Sequence, residues 1–347
     1  MIECSSAPAA DWRDFAALHG EFYHDPRWAE TLAETFGYRL HCLSHRDAGA
    51  LTGILALAEV PGLLGPRRLV SLPFSYAAGP LSSTSAATQA LFVAARERAR
   101  SVGVGRVEIK SVVQGVAESA PEAYIRRLRY ATYRLDTTGG EAAVLQRLHA
   151  DSTRRGIRKA EKLGVKVRRG LAQSDWAMLA RLEEETARTH GVPAPPRAFF
   201  TVACMALQAA GLADLLLAEA SSGGAAIAGI VIWKGPRRWI YAFGASRPDG
   251  LSLRPNHALL WAAIRQAIAA GVGFDFGRAA PEQEGLVEFK RRWGGIPTAL
   301  AYDYWPQAGG LNTGDRSRGP LAWMARAWSS LPRPVTRAGS ALYRYLG

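Results

Sequence analysis

Cysteine is scarce. Cys4, Cys42 and Cys204 are odd in number, widely separated and without metal-ligand spacing, which excludes both a disulfide framework and a zinc site of ordinary spacing. They read as reduced thiols. Long apolar runs are missing as well: the best, Ala225 to Trp233, is strand-length and contains Gly229, far short of the ~18 residues a membrane span needs. Met1 to Trp12 has no basic segment followed by an apolar one, so no secretory signal is expected and the expected location is the cytoplasm. The seven histidines form no H-E-x-x-H pattern, and His41 and His45 share a strand-like segment where four-residue spacing builds no helical metal site. No metal is expected. G-x-x-x-x-G-K-S/T, a G-x-G-x-x-G after a strand and a G-x-S-x-G elbow are all absent, which argues against nucleotide hydrolysis, hydride transfer and serine-hydrolase chemistry. No cofactor is expected either.

What is present describes a folded protein. The 347 residues allow about two domains at roughly 150 residues each, and a hydrophobic content of 48% gives each a core. The net charge of +13 is local. From Arg154 to Arg169 eight basic residues, including Arg154, Arg155, Arg158, Lys159 and Lys162, stand against Glu161 alone. The stretch from Gly309 to Gly347 carries six arginines against Asp315. Such clusters suit a phosphate-bearing partner (RNA, a nucleotide-linked substrate or an anionic membrane), and a solvated helix face explains a short cluster equally well.

The chain repeats a plan. A helix ends at Gly103-Val104-Gly105 and is followed by a strand, Val107-Glu108-Ile109; a second ends at Gly271-Val272-Gly273 and is followed by Phe274-Asp275-Phe276. Upstream of each, a strand-rich stretch closed by a Gly/Pro loop is expected, Leu69 to Leu81 before a helix from about Thr84 and Arg238 to Asp249 before a helix from about Pro255. Helices over 174–189 and 196–210 and strands over 213–220, 227–233 and 239–245 are expected between the repeats. Residues 141–163 read as mostly helical. The fold class is therefore mixed α/β with a central antiparallel meander.

Residues 281–295 (PEQEGLVEFKRRWGG) carry the chemistry most legibly. Pro281 in the first turn, acids early, Lys290, Arg291 and Arg292 late and Gly294-Gly295 afterwards describe a helix matched to its dipole. Leu286, Phe289 and Trp293 form one stripe, and Lys290 falls inside it while Arg291 and Arg292 point elsewhere. Lys290 is thus either an inward catalytic cation or a snorkelling lysine. Asp275 and Glu108, each alone on the polar side of a short strand, are either base or orienting carboxylates or members of structural ion pairs.

Five stretches together resemble the Fem-like branch of the GNAT superfamily. They are Leu72-Pro73-Phe74 with Gly79-Pro80-Leu81, Ser152 to Arg155 with Ile157 to Ala160, Gly244-Ala245-Ser246 with Pro255 to Trp261, Phe274 to Arg278, and Glu288 to Gly294. The resemblance runs from about Pro26 to Trp305. It implies two tandem GNAT-like domains, each a mixed, largely antiparallel sheet flanked by helices, over residues 1–140 and 141–308, followed by a basic amphipathic tail over 309–347.

It also implies transfer of an aminoacyl group, from aminoacyl-tRNA, to an amine of a nucleotide- or lipid-linked cell-envelope precursor of peptidoglycan or exopolysaccharide. Phe289 and Lys290 match the family's Phe-Lys pair near the acyl-transfer site, with Lys290 stabilising the oxyanion; Asp275 joins them as a catalytic candidate from its place on the strand. Arg154, Arg155, Arg158, Lys159, Lys162, Arg254 and Arg278 are the expected phosphate contacts. The helical arm that some members insert is absent, because residues 173–210 are too short to hold it. The acyl-CoA pyrophosphate turn is absent too, with Leu253-Arg254-Pro255-Asn256 in its place, which disfavours acyl-CoA as donor. The alternatives are an acyl-CoA-dependent N-acyltransferase acting on an envelope sugar or lipid and a non-catalytic phosphate- or RNA-binding scaffold. The tail is expected to touch anionic membrane at its inner face.

Overall fold

The computed structural model of the chain describes residues 1–62, 65–113, 121–220, 225–306 and 339–345. In the first half β1 (Ile2–Ser5), α1 (Trp12–His19) and α2 (Pro26–Phe36) precede the antiparallel strands β2 (Arg39–Asp47), β3 (Ala50–Val60) and β4 (Arg68–Val70). The short β5 (Leu81–Ser82) pairs with β3, and α3 (Ser85–Ser101) leads to β6 (Val107–Val112) and β7 (Ile125–Leu135). Next come α4 (Gly140–Arg147), α5 (Arg155–Lys162), β8 (Lys166–Gly170), α6 (Gln173–Thr189) and α7 (Met205–Ala209). The antiparallel run β9 (Ala213–Glu219), β10 (Ala228–Lys234) and β11 (Arg238–Ser246) follows, then α8 (Pro255–Ala269), β12 (Gly273–Ala279), α9 (Glu284–Arg292) and β13 (Ile296–Trp305).

The duplication read from the sequence is built into the sheet. In each half an antiparallel meander is followed by a helix, α3 or α8, and then by a strand parallel to the meander's last strand: β6 beside β4, and β12 beside β11. Apolar residues of the helices make this stable. Leu91, Ala95 and Ala99 of α3 pack on Leu55, Leu57 and Ile109, while Leu260, Ile264 and Ala267 of α8 pack on Ile230, Ile232 and Phe274. Among the described residues thirteen strands join in one sheet, ordered β1-β2-β3-β4-β6-β13-β7-β12-β11-β10-β9-β8, with β5 to one side of this path. The last strand, β13, thus lies between β6 and β7 of the first half.

Several expectations need correction. Only Arg68–Val70 and Leu81–Ser82 are strand in the stretch expected to be strand-rich, because Leu72 and Phe74 sit at φ 49° and 59° around Pro73 and turn residues 71–80 into a loop. Pro281 lies ahead of α9, whose N-cap is Gln283, and Leu286 is exposed on it. The amphipathic segment expected in the tail lies mostly outside the described residues. Residues 339–345 form a short 3-10 helix against the first half, where Tyr343 stacks on Phe74 at 4.5 Å and the Tyr38 hydroxyl donates to the Arg344 carbonyl. No helix among the described residues is long and apolar enough to cross a membrane.

Candidate active site

The site is built on an irregularity in β12. Its pairing with β7 shifts between Asp275 and Arg278, and Gly277 takes φ 75°, a left-handed conformation that glycine alone adopts without cost. Alternation sends Phe274 and Phe276 into the core against α8 and Trp293, and Asp275 to the opposite face. There Asp275 is buried. One carboxylate oxygen accepts from the Thr132 hydroxyl and, at 2.7 Å, from the Gly277 N–H; the other faces Arg134 Nε at 3.4 Å. The carboxylate therefore holds the bulge in shape.

Lys290 completes the bulge from the other side. Its side chain is 2% exposed, and Nζ donates to the carbonyls of Gly277 at 2.7 Å and Arg278 at 2.8 Å, at the place where the ladder with β7 shifts. A snorkelling lysine would place its ammonium in water, so that reading is excluded. Burial pushes Lys290 down to about 8, with the nearby Asp275 charge opposing. Phe289 is half-buried against Trp293.

Beside the bulge opens a cavity of about 620 Å3, the size of an ordinary ligand site. Asp275, Arg134, Arg237, Arg238 and Ile240 line one wall; Tyr76 and Gly79 of the 71–80 loop, Ser82 to Ser85 and Thr88 at the start of α3, and Ser111 line the other, with Arg126. Thr84 caps α3 by accepting from the Ala87 N–H, so the positive end of the helix dipole points at this region. Four arginines face two carboxylates, Glu21 and Asp275. Arg126 is bound through two 2.8 Å contacts to the buried Asp303, and Arg238 pairs with Glu21. Glu21 is raised above the usual carboxylate range by burial. His24, also in the wall, accepts from the Glu21 N–H at Nδ1, which leaves Nε2 to donate to the Gly79 carbonyl at 3.3 Å. Burial holds His24 at about 4, so it stays neutral at neutral pH.

The structure brings together only part of the expected set. Asp275 lines the cavity, whereas Lys290 and Phe289 sit behind the bulge. Arg278 lies over the Tyr130 ring at 4.4 Å and donates to the Tyr302 hydroxyl, away from the cavity. Arg254 is exposed at the N-terminus of α8 in a left-handed conformation. Arg155, Arg158, Lys159 and Lys162 form the exposed face of α5, whose Gly156, Ile157 and Ala160 are buried, and Arg154 precedes it. None of these five borders the cavity. Arg126, Arg134, Arg237 and Arg238 escaped the sequence reading because they are scattered over two strands and a turn; only the sheet order assembles them. Among the described residues no three His, Cys, Asp or Glu side chains converge as metal ligands do.

Residues 147–291 match the acetyltransferase (GNAT) domain profile. No curated protein matches the sequence. Among solved structures the fold resembles that of FemX, with a TM-score of 0.67 at 17% identity over 87% of this chain and 96% of that one. It also resembles L-PGS from Bacillus licheniformis (TM-score 0.54, 13% identity, 88% of this chain and 96% of that one). A tandem GNAT protein from the clavulanic acid biosynthesis pathway has a TM-score of 0.52 at 15% identity over 88% of this chain and 98% of that one. Residues 147–291 thus match the GNAT acetyltransferase domain, and the repeated meander-helix-strand unit gives the chain the fold shared by FemX and the tandem GNAT protein.

Proposed function

We propose that the protein transfers an aminoacyl group from an ester donor, aminoacyl-tRNA, to an amine of a phosphate-bearing cell-envelope precursor. The observation that carries this reading is the cavity. Its four arginines and the N-terminus of α3 suit a polyphosphate-linked acceptor, and it ends at the bulge where β11 and β12 cease to pair. In open α/β sheets ligands sit where neighbouring parallel strands part at their carboxyl ends. A donor there and an acceptor in the cavity meet at Gly277.

The chemistry asks little of the protein. The acceptor nitrogen attacks the ester carbonyl carbon, the C–N bond forms, the C–O bond to the ribose breaks, and the proton lost by nitrogen ends on the ribose oxygen. Because the ester is already activated, positioning and stabilisation of the oxyanion account for the catalysis. Both oxygens of Asp275 are engaged by Thr132, Gly277 and Arg134, so its role is to position the bulge. Lys290 spends two donors on the same bulge and keeps one for an oxygen of the reacting group. The exposed cations of α5 supply salt-sensitive attraction for the tRNA.

A nucleotide-linked peptidoglycan precursor should bind, and Arg134→Leu with Arg237→Leu should weaken it at least tenfold by calorimetry. Unchanged affinity would remove the acceptor from this cavity.

A further inference from the structure

On α6, a buried carboxylate has one oxygen without a partner. Glu183 projects from α6, which packs on β10 and β11. The residue is half-buried, yet its Oε1 is closed off from solvent and makes no hydrogen bond. No ion pair reaches it among the described residues. The Gly244 N–H faces the carboxylate, and burial pushes the carboxyl up to about 7. An unpaired buried carboxylate costs stability, so its presence in a folded protein calls for a partner that arrives later.

The surroundings say where that partner comes from. β11 and β12 are parallel and bonded only from Arg238 to Ile240 against Gly273 to Asp275. One residue on, the Tyr241 carbonyl still faces Gly277, and a Cβ at Gly277 would lie 3.4 Å from it. Gly244 lies three residues further along β11, in the part no longer bonded to β12. A side chain there would overlap the Tyr241 hydroxyl, so glycine is required for that ring to lie over the strand beside Glu183. Carboxylate, phenol and backbone N–H thus gather near the parting of β11 and β12, where the proposed function puts the donor.

We propose that Glu183 recognises an ammonium group on the donor's acyl chain, and so selects an aminoacyl ester over an uncharged acyl thioester. This rests on the aminoacyl-transfer reading above. It names the feature of the donor that this chain reads.

The test compares two small donor mimics by calorimetry on the full chain: 3′-deoxy-3′-(alanylamino)adenosine and its propionyl counterpart, which lacks only the ammonium. Wild-type protein should bind the alanyl compound at least tenfold more tightly. Glu183→Gln, which preserves shape, should erase that preference by weakening the alanyl compound alone. If Glu183→Gln keeps the preference, Glu183 is not the recognition point, although aminoacyl transfer stands. If wild-type protein binds the two compounds equally, this inference falls whatever the variant does. If it binds neither but binds acetyl-CoA, the aminoacyl reading falls with it.

Discussion

Burying an ammonium is tolerated only where its hydrogens find acceptors, and at Lys290 two of these acceptors are the backbone carbonyls of Gly277 and Arg278. Substitution therefore has a structural cost that periodicity alone does not reveal. Lys290→Met should destabilise the protein by about 1–3 kcal/mol, because the buried Gly277 carbonyl and the partly buried Arg278 carbonyl lose this donor, and should lower single-turnover transfer by about tenfold or more. Arg291→Met, on the exposed side of α9, should stay within about 0.5 kcal/mol and leave transfer unchanged. Denaturant melts and single-turnover rates measured on both variants check this. Equal behaviour of the two variants would contradict both the structural and the catalytic weight given to Lys290. The inward direction of Lys290 was legible in the sequence, since Trp293 and Phe289 fixed the buried face of the helix. Its partners were not, because they exist only once β12 bulges at Gly277.

At the scale of elements, α5 shows how an amphipathic segment divides its work. Gly156, Ile157 and Ala160 face inward, and Gly156 lies so close to the His257 ring that any larger side chain would collide with it. The outward cations Arg155, Arg158, Lys159 and Lys162 make no ion pair among the described residues, whereas Arg168 is held by Asp175 and Glu219 on the next strand. The free charge thus belongs to the helix. Reversing Arg155, Lys159 and Lys162 to glutamate should weaken tRNA binding and flatten its dependence on salt while the circular dichroism and melting of the protein change little. A salt slope equal to that of the wild type would exclude α5 from phosphate contact. Helices α3, α6 and α8 and strands β9 to β12 fall near their expected places, since each has a clear apolar period and a glycine or proline stop. The 71–80 loop did not, because its apolar residues imitate a strand while positive φ at Leu72 and Phe74 turns the chain.

Across the whole molecule, the two halves are joined by an exchange that local pattern cannot announce: β13 comes from the end of the second half and completes the sheet between β6 and β7. The cavity is a consequence of that joining, since Arg126 and Arg134 on β7 face residues from both halves across it. Its wall contains a pH-sensitive element. His24 is held at about 4 by burial, below its ordinary 6.5, so the unfolded chain takes up a proton first as the pH falls. His24 therefore contributes stability that is complete above about pH 6.5 and is lost progressively toward pH 4, on the order of 3 kcal/mol at the limit. Melting of wild type and His24→Gln across this window should show a shallower acid slope in the variant, and parallel curves would contradict the assignment.

The central claim is that an aminoacyl ester and an envelope amine meet at the bulge. Its most direct test incubates the purified protein with total tRNA charged with labelled amino acids and a nucleotide-linked peptidoglycan precursor, and follows the label. Label should move to the precursor in an alkali-stable amide, and acetyl-CoA should supply no acyl group in its place. Transfer from acetyl-CoA alone, or an intact pool of charged tRNA after prolonged incubation with a folded protein, would contradict it.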